Sequence, residues 1–506
     1  MNGRTSTLRP LTPCLSWADL FTQLKLGVGE IESGLVLTFF QISVFCLAFI
    51  LCGCAVGPNY QRPGLNEPKT FRGETTPATN SLADLPWWQV FHDDALQGLI
   101  RDAITNNYNL RTAITRVEQA RAVAAQARAG FFPQLGYQAL VGTGRNVAGA
   151  GTPSPTGTSG AVSAVDANGS WEIDLWGRIR RLNESARSQY LASQEARRDV
   201  TISIIAEVAQ AYFQLLALDS ELEVARRTTN SFAASLRIFN QRLEGGVASR
   251  LETASTQALL DSAAATIPEL ERQIALQENQ INVLLGQNPG PIPREGSPFQ
   301  NQIPLDVPAG LPSALLQRRP DIREAEQLLR SANAQIGVAV ANFFPQLSLT
   351  GLFGRVGPEL NAFTAGGVTA WSAAAGLTGP IFQGGRLKAQ LQQARAAREQ
   401  FALQYRAVVL NALQEVSNAL ISREKLATVR LEQARAVEAY REAVQIATER
   451  YRLGRSSYYE VLQEQQLLFP AETSLVQIQL NQLLAIVQLY RALGGGWQNG
   501  PPDPER

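Results

Sequence analysis

Histidine and cysteine are scarce in this chain of 506 residues. His92 is the only histidine, so no histidine pair exists for a zinc site and only one imidazole is available as a base. The four cysteines all lie within the first 54 residues, which excludes a disulfide or thiolate site beyond them. The motifs GxxxxGK, GxSxG and HExxH are absent as well. The sequence therefore predicts no catalytic residues, no metal site and no cofactor apart from the covalent lipid discussed below.

Neither sign of charge dominates. Lys and Arg number 45 and Asp and Glu number 44, which gives a formal net charge of +1. A nucleic-acid partner would call for a clear excess of basic residues. The composition therefore predicts a protein that does not bind nucleic acid.

Residues 34–61 contain no charged side chain, and residues 34–53 are strongly apolar. Two alternatives fit this stretch: a cleaved signal peptide and a retained membrane helix. The sequence Leu51-Cys52-Gly53-Cys54 resembles a bacterial lipobox, in which the last cysteine is acylated and the leader is removed. Residues 1–53 are therefore predicted to be a lipoprotein signal peptide with an uncertain start, and Cys54 the lipid-bearing residue. Ala55, where an aspartate would favour the inner membrane, favours the outer membrane.

The remainder of the chain contains an internal sequence repeat. Two short motifs recur at an offset of 212 residues: residues 109–111 match 321–323, and residues 131–135 match 343–347. Two more recur at an offset of 208: residues 177–178 match 385–386, and residues in 246–257 match 454–465. A period of about 200 residues is too long for a solenoid and indicates a duplicated architecture.

Each half begins with two predicted strands. In the first half they are Phe131–Gly142 and Gly169–Gly177, around an exposed loop at Thr143–Ala167. In the second half they are Leu347–Gly354 and Ala370–Phe382, around a shorter loop at Arg355–Gly367. Alternation at Trp171–Leu175 places large apolar groups on one face and the carboxylates of Glu172 and Asp174 on the other, as in a membrane barrel whose lumen is polar. Taken alone, these patterns fit a soluble β-sandwich equally well.

Glycine and proline are absent from residues 179–244 and 387–452, which are rich in Ala, Leu, Gln, Glu and Arg. Each segment predicts a helix about 100 Å long at 1.5 Å per residue. Val409, Leu413, Val416 and Leu420 follow a heptad pattern typical of coiled-coil packing, which Ala427, Leu431 and Ala434 continue. Glycine-containing turns follow, and then second helices at about 251–285 and 458–493. The chain therefore folds into a long helical hairpin twice.

The predicted fold class is mainly α with a membrane β-barrel, built from duplicated units of two strands and a long helical hairpin. Four strands cannot close a barrel, because about eight is the small end of closed barrels. Open strand edges in lipid would leave backbone groups unpaired. Several copies of the chain must therefore close one barrel together, and their hairpins would wall a tube.

Four segments carry a family resemblance: Cys54 with Gly57-Pro58-Asn59-Tyr60-Gln61-Arg62-Pro63, Pro86-Trp87-Trp88 with Phe91 and Asp93, Arg318-Arg319-Pro320-Asp321-Ile322-Arg323 with Ala325-Glu326, and Tyr490-Arg491-Ala492-Leu493-Gly494-Gly495-Gly496-Trp497. With them the chain resembles outer-membrane efflux lipoproteins of the TolC and OprM (NodT-like) type, in the resistance–nodulation–division pump branch. The resemblance implies a homotrimer with one twelve-stranded barrel and one helical tunnel in the periplasm. It also implies a periplasmic adaptor and an inner-membrane pump as partners, and outer-membrane lipid around the barrel.

The resemblance also implies site residues. Gly246, Ser249, Gly454 and Ser457 fall at the hairpin ends that the adaptor contacts, where the glycines would permit a left-handed C-cap and the serines would cap the next helix. Tyr451, Tyr459, Glu460 and Gln463 fall at the tunnel constriction. Gln463 stands where the family has an aspartate, and an ordinary solvated helix residue is an equally good interpretation of Glu460.

The predicted organisation is residues 1–53 signal peptide, 54–106 lipidated and equatorial segment, 107–290 first efflux repeat, 291–318 linker, 319–497 second efflux repeat, and 498–506 tail. The predicted function is a passive outer-membrane conduit for drugs or other small molecules. The alternatives are the exit duct of a type I protein secretion system, the outlet of a metal-efflux system, and a soluble coiled-coil scaffold.

Overall fold

The computed structural model describes residues 55–65, 68, 70–72, 81–91, 93–145, 159–247, 249–294, 312–357 and 368–495. All of them belong to the unit Ala55–Arg506. The predicted leader, Cys54, His92, the tips of both strand-connecting loops and the C-terminal tail lie outside the described residues.

The described elements follow the duplicated order that the sequence predicts. The helices are α1 (Trp87–Val90), α2 (Asp94–Asn106), α3 (Tyr108–Ala129), α4 (Arg178–Glu244), α5 (Arg250–Leu284), α6 (Pro312–Arg318), α7 (Pro320–Ala341), α8 (Arg386–Arg452) and α9 (Tyr458–Ala492). The strands are β1 (Gln134–Arg145), β2 (Ser159–Ile173), β3 (Gln346–Gly357) and β4 (Val368–Thr378).

The two long helices begin one residue earlier than predicted and end where predicted. Each of them has 67 residues and follows a glycine in the left-handed region, Gly177 at φ +79° and Gly385 at φ +85°. At Gly177 a side chain would also collide with Ala55, because a Cβ atom there would lie 2.6 Å from the Ala55 Cα. Glycine is therefore required at this entry into α4 for conformation and for space.

The four strands form one antiparallel sheet in the order β1-β2-β3-β4. Gln134 lies opposite Ser170, and Ser163 lies opposite Gly357, so the β2–β3 pairing joins the two halves. The predicted loops were too long, since residues 143–145, 159–167 and 355–357 are in strands. These stretches are rich in Gly, Ser and Ala, which are typical of loops, but here backbone pairing across the sheet holds them extended.

Strands β2 and β4 also end earlier than predicted, at Ile173 and Thr378. This corrects the role of the two carboxylates near the end of β2. Asp174 lies beyond the strand and accepts hydrogen bonds from the backbone amides of Ile179 and Arg180, at 3.0 and 2.9 Å, so it caps the start of α4. Glu172 pairs with the Arg178 guanidinium, whose Nε lies 2.8 Å from a carboxylate oxygen.

Helix α4 has different neighbours along its length. Near the sheet the packing order is α3-α4-α7-α8, and towards the hairpin turns it is α5-α4-α9-α8. Among the described helices, α4 alone is long and apolar enough to cross a membrane, but 67% of its apolar window is buried inside the protein. The predicted heptad holds over part of α8, where Val409 and Val416 are buried, and fails at Leu431, which is 51% exposed.

A smaller group of elements covers one side of α4 midway along its length. Tyr212 is fully buried there, and its hydroxyl donates to Asp93, the N-cap of α2, at 3.1 Å. The rings of Phe91 and Phe213 lie 6.1 Å apart in the same core. This side of α4 is therefore closed by α2 and its flanking residues.

Candidate functional site

The two hairpin turns close with the same backbone geometry. The first turn (residues 245–249) has Gly246 at φ +74°, and the second turn (residues 453–457) has Gly454 at φ +70°. In the first turn the Val247 amide donates to the Arg242 carbonyl at 2.9 Å, and in the second an equivalent bond spans five residues at 2.8 Å. These are Schellman-type ends that need a left-handed residue. The predicted left-handed conformation of both glycines is thus confirmed, and each lies one residue beyond the C-cap of the preceding helix, Gly245 and Leu453.

The two serines that end the turns behave differently. Ser249 forms a complete capping box: the Glu252 amide donates to its hydroxyl at 3.3 Å, and its own amide donates to the Glu252 carboxylate at 2.7 Å. Ser457 occupies the N-cap position of α9, but its side chain makes no cap hydrogen bond. The predicted N-cap position is therefore confirmed for both serines, but only the Ser249 side chain forms the capping hydrogen bond.

Glu460 is the counterpart of Glu252 in the second half and has no cap to complete. Its backbone amide donates to the Ser457 carbonyl at 3.3 Å, and its carboxylate has no hydrogen-bond or ionic partner within the described part of the chain. Tyr459, Glu460 and Gln463 are all exposed, and Tyr459 is 67% exposed. Their spacing places them on one face of the first turns of α9. The structure thus brings together three of the four predicted constriction residues.

Tyr451, the fourth predicted constriction residue, belongs to a separate group behind that face. Its ring meets the ring of Tyr458 edge-on at 4.7 Å, and its hydroxyl accepts from the Arg242 guanidinium at 3.1 Å. The hydroxyls of Tyr458 and Ser235 lie 2.7 Å apart, and the Phe239 ring lies 5.0 Å from that of Tyr458. Burial raises the pKa of Tyr458. This tip cluster (Ser235, Phe239, Arg242, Tyr451 and Tyr458) ties the second turn to α4.

Sequence reasoning missed four of these five residues. The adjacent residues Tyr458 and Tyr459 could have indicated the cluster, because neighbouring side chains at the start of a helix point in different directions. If the Tyr459 ring faces solvent, the Tyr458 ring is directed towards the protein interior. The partners on α4 gave no local signal, since they lie more than 200 residues away along the chain.

The segment that follows Cys54 is fixed against both halves of the chain. This anchor strap (residues 55–62) begins with the Val56 amide donating to the Trp176 carbonyl at 3.0 Å. The Arg181 guanidinium donates to the Asn59 side chain at 2.8 Å, and the Asn333 amide group donates to the Pro58 carbonyl at 2.9 Å. The strap therefore lies across α4 and α7.

The strap packs so closely against α7 at Gly57 that no side chain would fit there. Gly57 has φ +95°, and a Cβ atom there would lie 2.5 Å from the Gly337 Cα. Further along, Glu326 accepts from Tyr60 at 3.2 Å, from Arg330 at 2.9 Å and from Arg62. Burial opposes ionisation of Glu326, but the hydrogen bonds from the two arginines outweigh it and lower the pKa of its carboxyl. Burial, and secondarily the Glu326 charge, raise the pKa of Tyr60 to about 12.

The described residues contain no group of three or more His, Cys, Asp or Glu side chains arranged to hold a metal ion. The described residues form a sheet whose edge strands β1 and β4 each pair on one side, two helical hairpins, and an exposed polar face at the end of the second hairpin. The sequence profile of the family described as "Outer membrane efflux protein" matches residues 99–287 and 311–495. The chain belongs to this family.

Individual relatives support the same family assignment. The toluene efflux pump outer membrane protein TtgC of Pseudomonas putida is 36% identical over 467 residues, covering 90% of this chain and 95% of that protein. The cation efflux system protein CusC of Escherichia coli is 31% identical, covering 90% of this chain and 98% of its own length. The MtrE outer membrane channel of Neisseria gonorrhoeae, solved in its open state, matches with a TM-score of 0.79 at 31% identity, covering 88% of this chain and 99% of that one. This family member is an outer-membrane efflux component with the fold of those channels.

Proposed function

We propose that three copies of this chain form one passive conduit through the outer membrane and the periplasm. The observation that carries the proposal is the sheet, whose edge strands β1 and β4 are unpaired among the described residues. Tyr137 and Trp371 on these strands are 88% and 75% exposed. Lipid cannot satisfy open backbone edges, so β1 of one copy would pair with β4 of the next. Three sheets of four strands give a twelve-stranded barrel.

The cargo we propose is organic and amphiphilic. The names of the relatives include toluene, solvent and antibiotic efflux pumps, at 34–36% identity for the Pseudomonas proteins. A metal-efflux outlet is the second candidate, because CusC is a cation efflux protein. The methionine and all four cysteines lie within the first 54 residues, so His92 is the only histidine, cysteine or methionine ligand for a soft metal in the sequence beyond them. This favours the organic cargo, although a duct need not bind what it conducts.

The hairpin turns are the surfaces that we assign to a periplasmic adaptor, which in turn joins an inner-membrane pump of the resistance–nodulation–division type. Val247 is 68% exposed in the first turn, and Leu453 is 59% exposed in the second. Exposed apolar side chains beside Gly246 and Gly454 give both turns a surface for hydrophobic docking. Ser249 and Ser457 border the same surfaces.

The gate is assigned to Tyr459, Glu460 and Gln463 on the exposed face of α9, with Tyr451 supporting the turn from behind. Three copies of Glu460 around a threefold axis would form a carboxylate ring that attracts cations and narrows the passage. The Glu460 carboxylate has no partner among the described residues, whereas its counterpart Glu252 is used in a capping box, and this supports the assignment. Gln463 makes the ring less acidic than a second carboxylate would.

Cys54 is assigned as the lipid-bearing residue. The strap that follows it starts beside Trp176, close to where β2 leaves the sheet. Acyl chains on Cys54 would contribute roughly 0.8 kcal/mol per buried CH₂ to membrane attachment. Acylation is tested directly by intact mass of the purified protein, with Cys54→Ala as the control.

The function is tested by deleting the gene in the source bacterium and complementing it with the intact gene. Hypersensitivity to amphiphilic drugs and dyes that the gene restores to normal would support the organic cargo. Hypersensitivity to metal ions alone would support the second candidate. Normal tolerance together with a missing secreted protein would contradict both and assign the chain to type I secretion.

A further inference from the structure

A recess lies between three helices, about midway between the covered side of α4 and the hairpin turns. It has a volume of about 370 Å³ and is lined by Glu221 of α4, by Thr266, Glu269 and Leu270 of α5, and by Phe469 and Thr473 of α9. Sites for small organic molecules typically measure roughly 300–1,000 Å³. The recess is therefore large enough for a small ligand.

Two of the walls carry a proline beside the recess. Pro268 lies inside α5 and Pro470 inside α9, each next to a lining residue. Proline has no backbone amide hydrogen, so each of these helices lacks one internal hydrogen bond at this point.

Glu221 forms the floor of the recess and is only 9% exposed. Its one hydrogen-bond partner among the described residues is the side-chain amide of Gln477, and it forms no ion pair there. Burial raises the pKa of its carboxyl, against the opposing effect of Gln477. A carboxylate that is buried without a cation is costly, so its retention needs a reason.

The neighbouring arginines do not supply that cation. Three of them on the same helices pair with other carboxylates: Arg226 with Glu271 at 2.9 Å, Arg227 with Glu472 at 3.4 Å, and Arg272 with Glu269 at 2.6 Å. The Arg272 hydrogen bond, followed by that of Gln273, lowers the pKa of Glu269 to about 2. Glu221 is thus the one carboxylate of the recess that has no basic partner among the described residues.

The remaining walls are mainly apolar. The Thr266 hydroxyl donates to the Ala263 carbonyl at 2.7 Å, and the Thr473 hydroxyl donates to the Phe469 carbonyl at 3.1 Å, so both hydroxyls are used within their own helices. Phe469 and Leu270 present an aromatic ring and an aliphatic side chain. A carboxylate and an aromatic ring together suit a cation with an apolar body.

The recess opens on the side of α4 away from α2. Tyr212, which donates a hydrogen bond to Asp93, marks the side of α4 that α2 covers. Glu221 lies nine residues further along the same helix. At 100° per residue, nine residues make two and a half rotations, so Glu221 points to the opposite side. In a tube walled by these helices, the side filled by the core around α2 cannot line the passage. The recess side is then the side that faces the passage.

We propose that this recess binds amphiphilic organic monocations, with the charged nitrogen or phosphorus centre against Glu221 and the apolar body against Phe469 and Leu270. The proposal rests on the conduit function above and names a cargo class that touches the wall of the passage. Each trimer would hold three such sites.

The test uses the purified full chain in detergent and tetraphenylphosphonium as the probe. Binding is measured by equilibrium dialysis against empty micelles, which corrects for partitioning of the probe. Glu221→Gln keeps the shape and the Gln477 contact but removes the charge. Glu223→Gln is the matched control, because Glu223 is exposed on the same helix and its substitution changes the net charge equally. Triphenylphosphine oxide serves as the uncharged probe.

We expect saturable binding of tetraphenylphosphonium by the wild type, about tenfold weaker binding by Glu221→Gln, and unchanged binding by Glu223→Gln. The uncharged probe should bind both variants like the wild type. Equal affinity of the cation for both variants, or no saturable binding by the wild type, would overturn the proposal. Channel conductance of the wild-type preparation in planar bilayers reports separately on the conduit, so that a failed binding test can be told apart from a failure of the conduit function.

Discussion

The two hairpin turns occupy equivalent places in the two halves of the chain, yet they are held in different ways. The first turn is closed locally, by the capping box between Ser249 and Glu252. The second turn has no side-chain cap. Instead, Tyr451 contacts Arg242 of α4, and Tyr458 contacts Ser235 and Phe239 of the same helix. A local cap moves with its own helix, whereas a contact between helices breaks when they separate.

The difference shows that equivalent turns of a duplicated element can be held by unlike contacts. Glu460 completes no cap, and the tip cluster holds the second turn through contacts that depend on the position of α4. The second turn is therefore tied to the packing between α4 and α9, while the first turn is closed within its own hairpin. The gate proposed above would use this dependence.

The largest expected effect concerns the exposed face of α9. Replacing Tyr459 and Glu460 together by Ala should raise single-channel conductance in planar bilayers by about twofold or more, because a narrow charged ring limits flow. The matched control is Leu251→Ala with Glu252→Ala, the equivalent pair after the first turn, which should leave conductance unchanged. Equal conductance in all three proteins would place the constriction elsewhere.

A second experiment breaks the tip cluster. Tyr458→Ala should cost about 3–5 kcal/mol in the free energy of local opening, because it removes a buried ring from contact with Phe239 and Tyr451. Hydrogen exchange of the first turns of α9 measures this opening. Arg250→Ala, at the exposed equivalent position of the first half, should change the exchange of α5 little. Unchanged exchange in Tyr458→Ala would show that the cluster does not hold the second turn.

The smallest effect compares the two serines directly. Ser249→Ala should cost about 1 kcal/mol in local stability, because it removes a formed N-cap. Ser457→Ala should cost close to nothing, because the Ser457 hydroxyl caps no amide of α9. Hydrogen exchange at the starts of α5 and α9 gives both values. Equal losses at the two positions would contradict the difference between the turns.

The long helices were predictable because their signal is local. Uninterrupted runs without Gly or Pro gave the ends of α4 and α8 to within one residue. The limits of the strands were harder to predict, because the small residues at 159–167 are extended only through pairing with β1 and β3. Ser457 fits the capping pattern as well as Ser249 does, so the pattern cannot tell which hydroxyl forms the bond.

The anchor strap carries a consequence for the ancestry of the molecule. It belongs to neither repeat, yet it contacts Arg181 of the first half and Asn333 of the second. Because one segment lies across both copies, a substitution at its contacts in one half also affects how it sits on the other half. A chimera that joins halves of two relatives would have to preserve the contacts of the strap with both. This short segment thus makes the two copies of the repeat depend on each other.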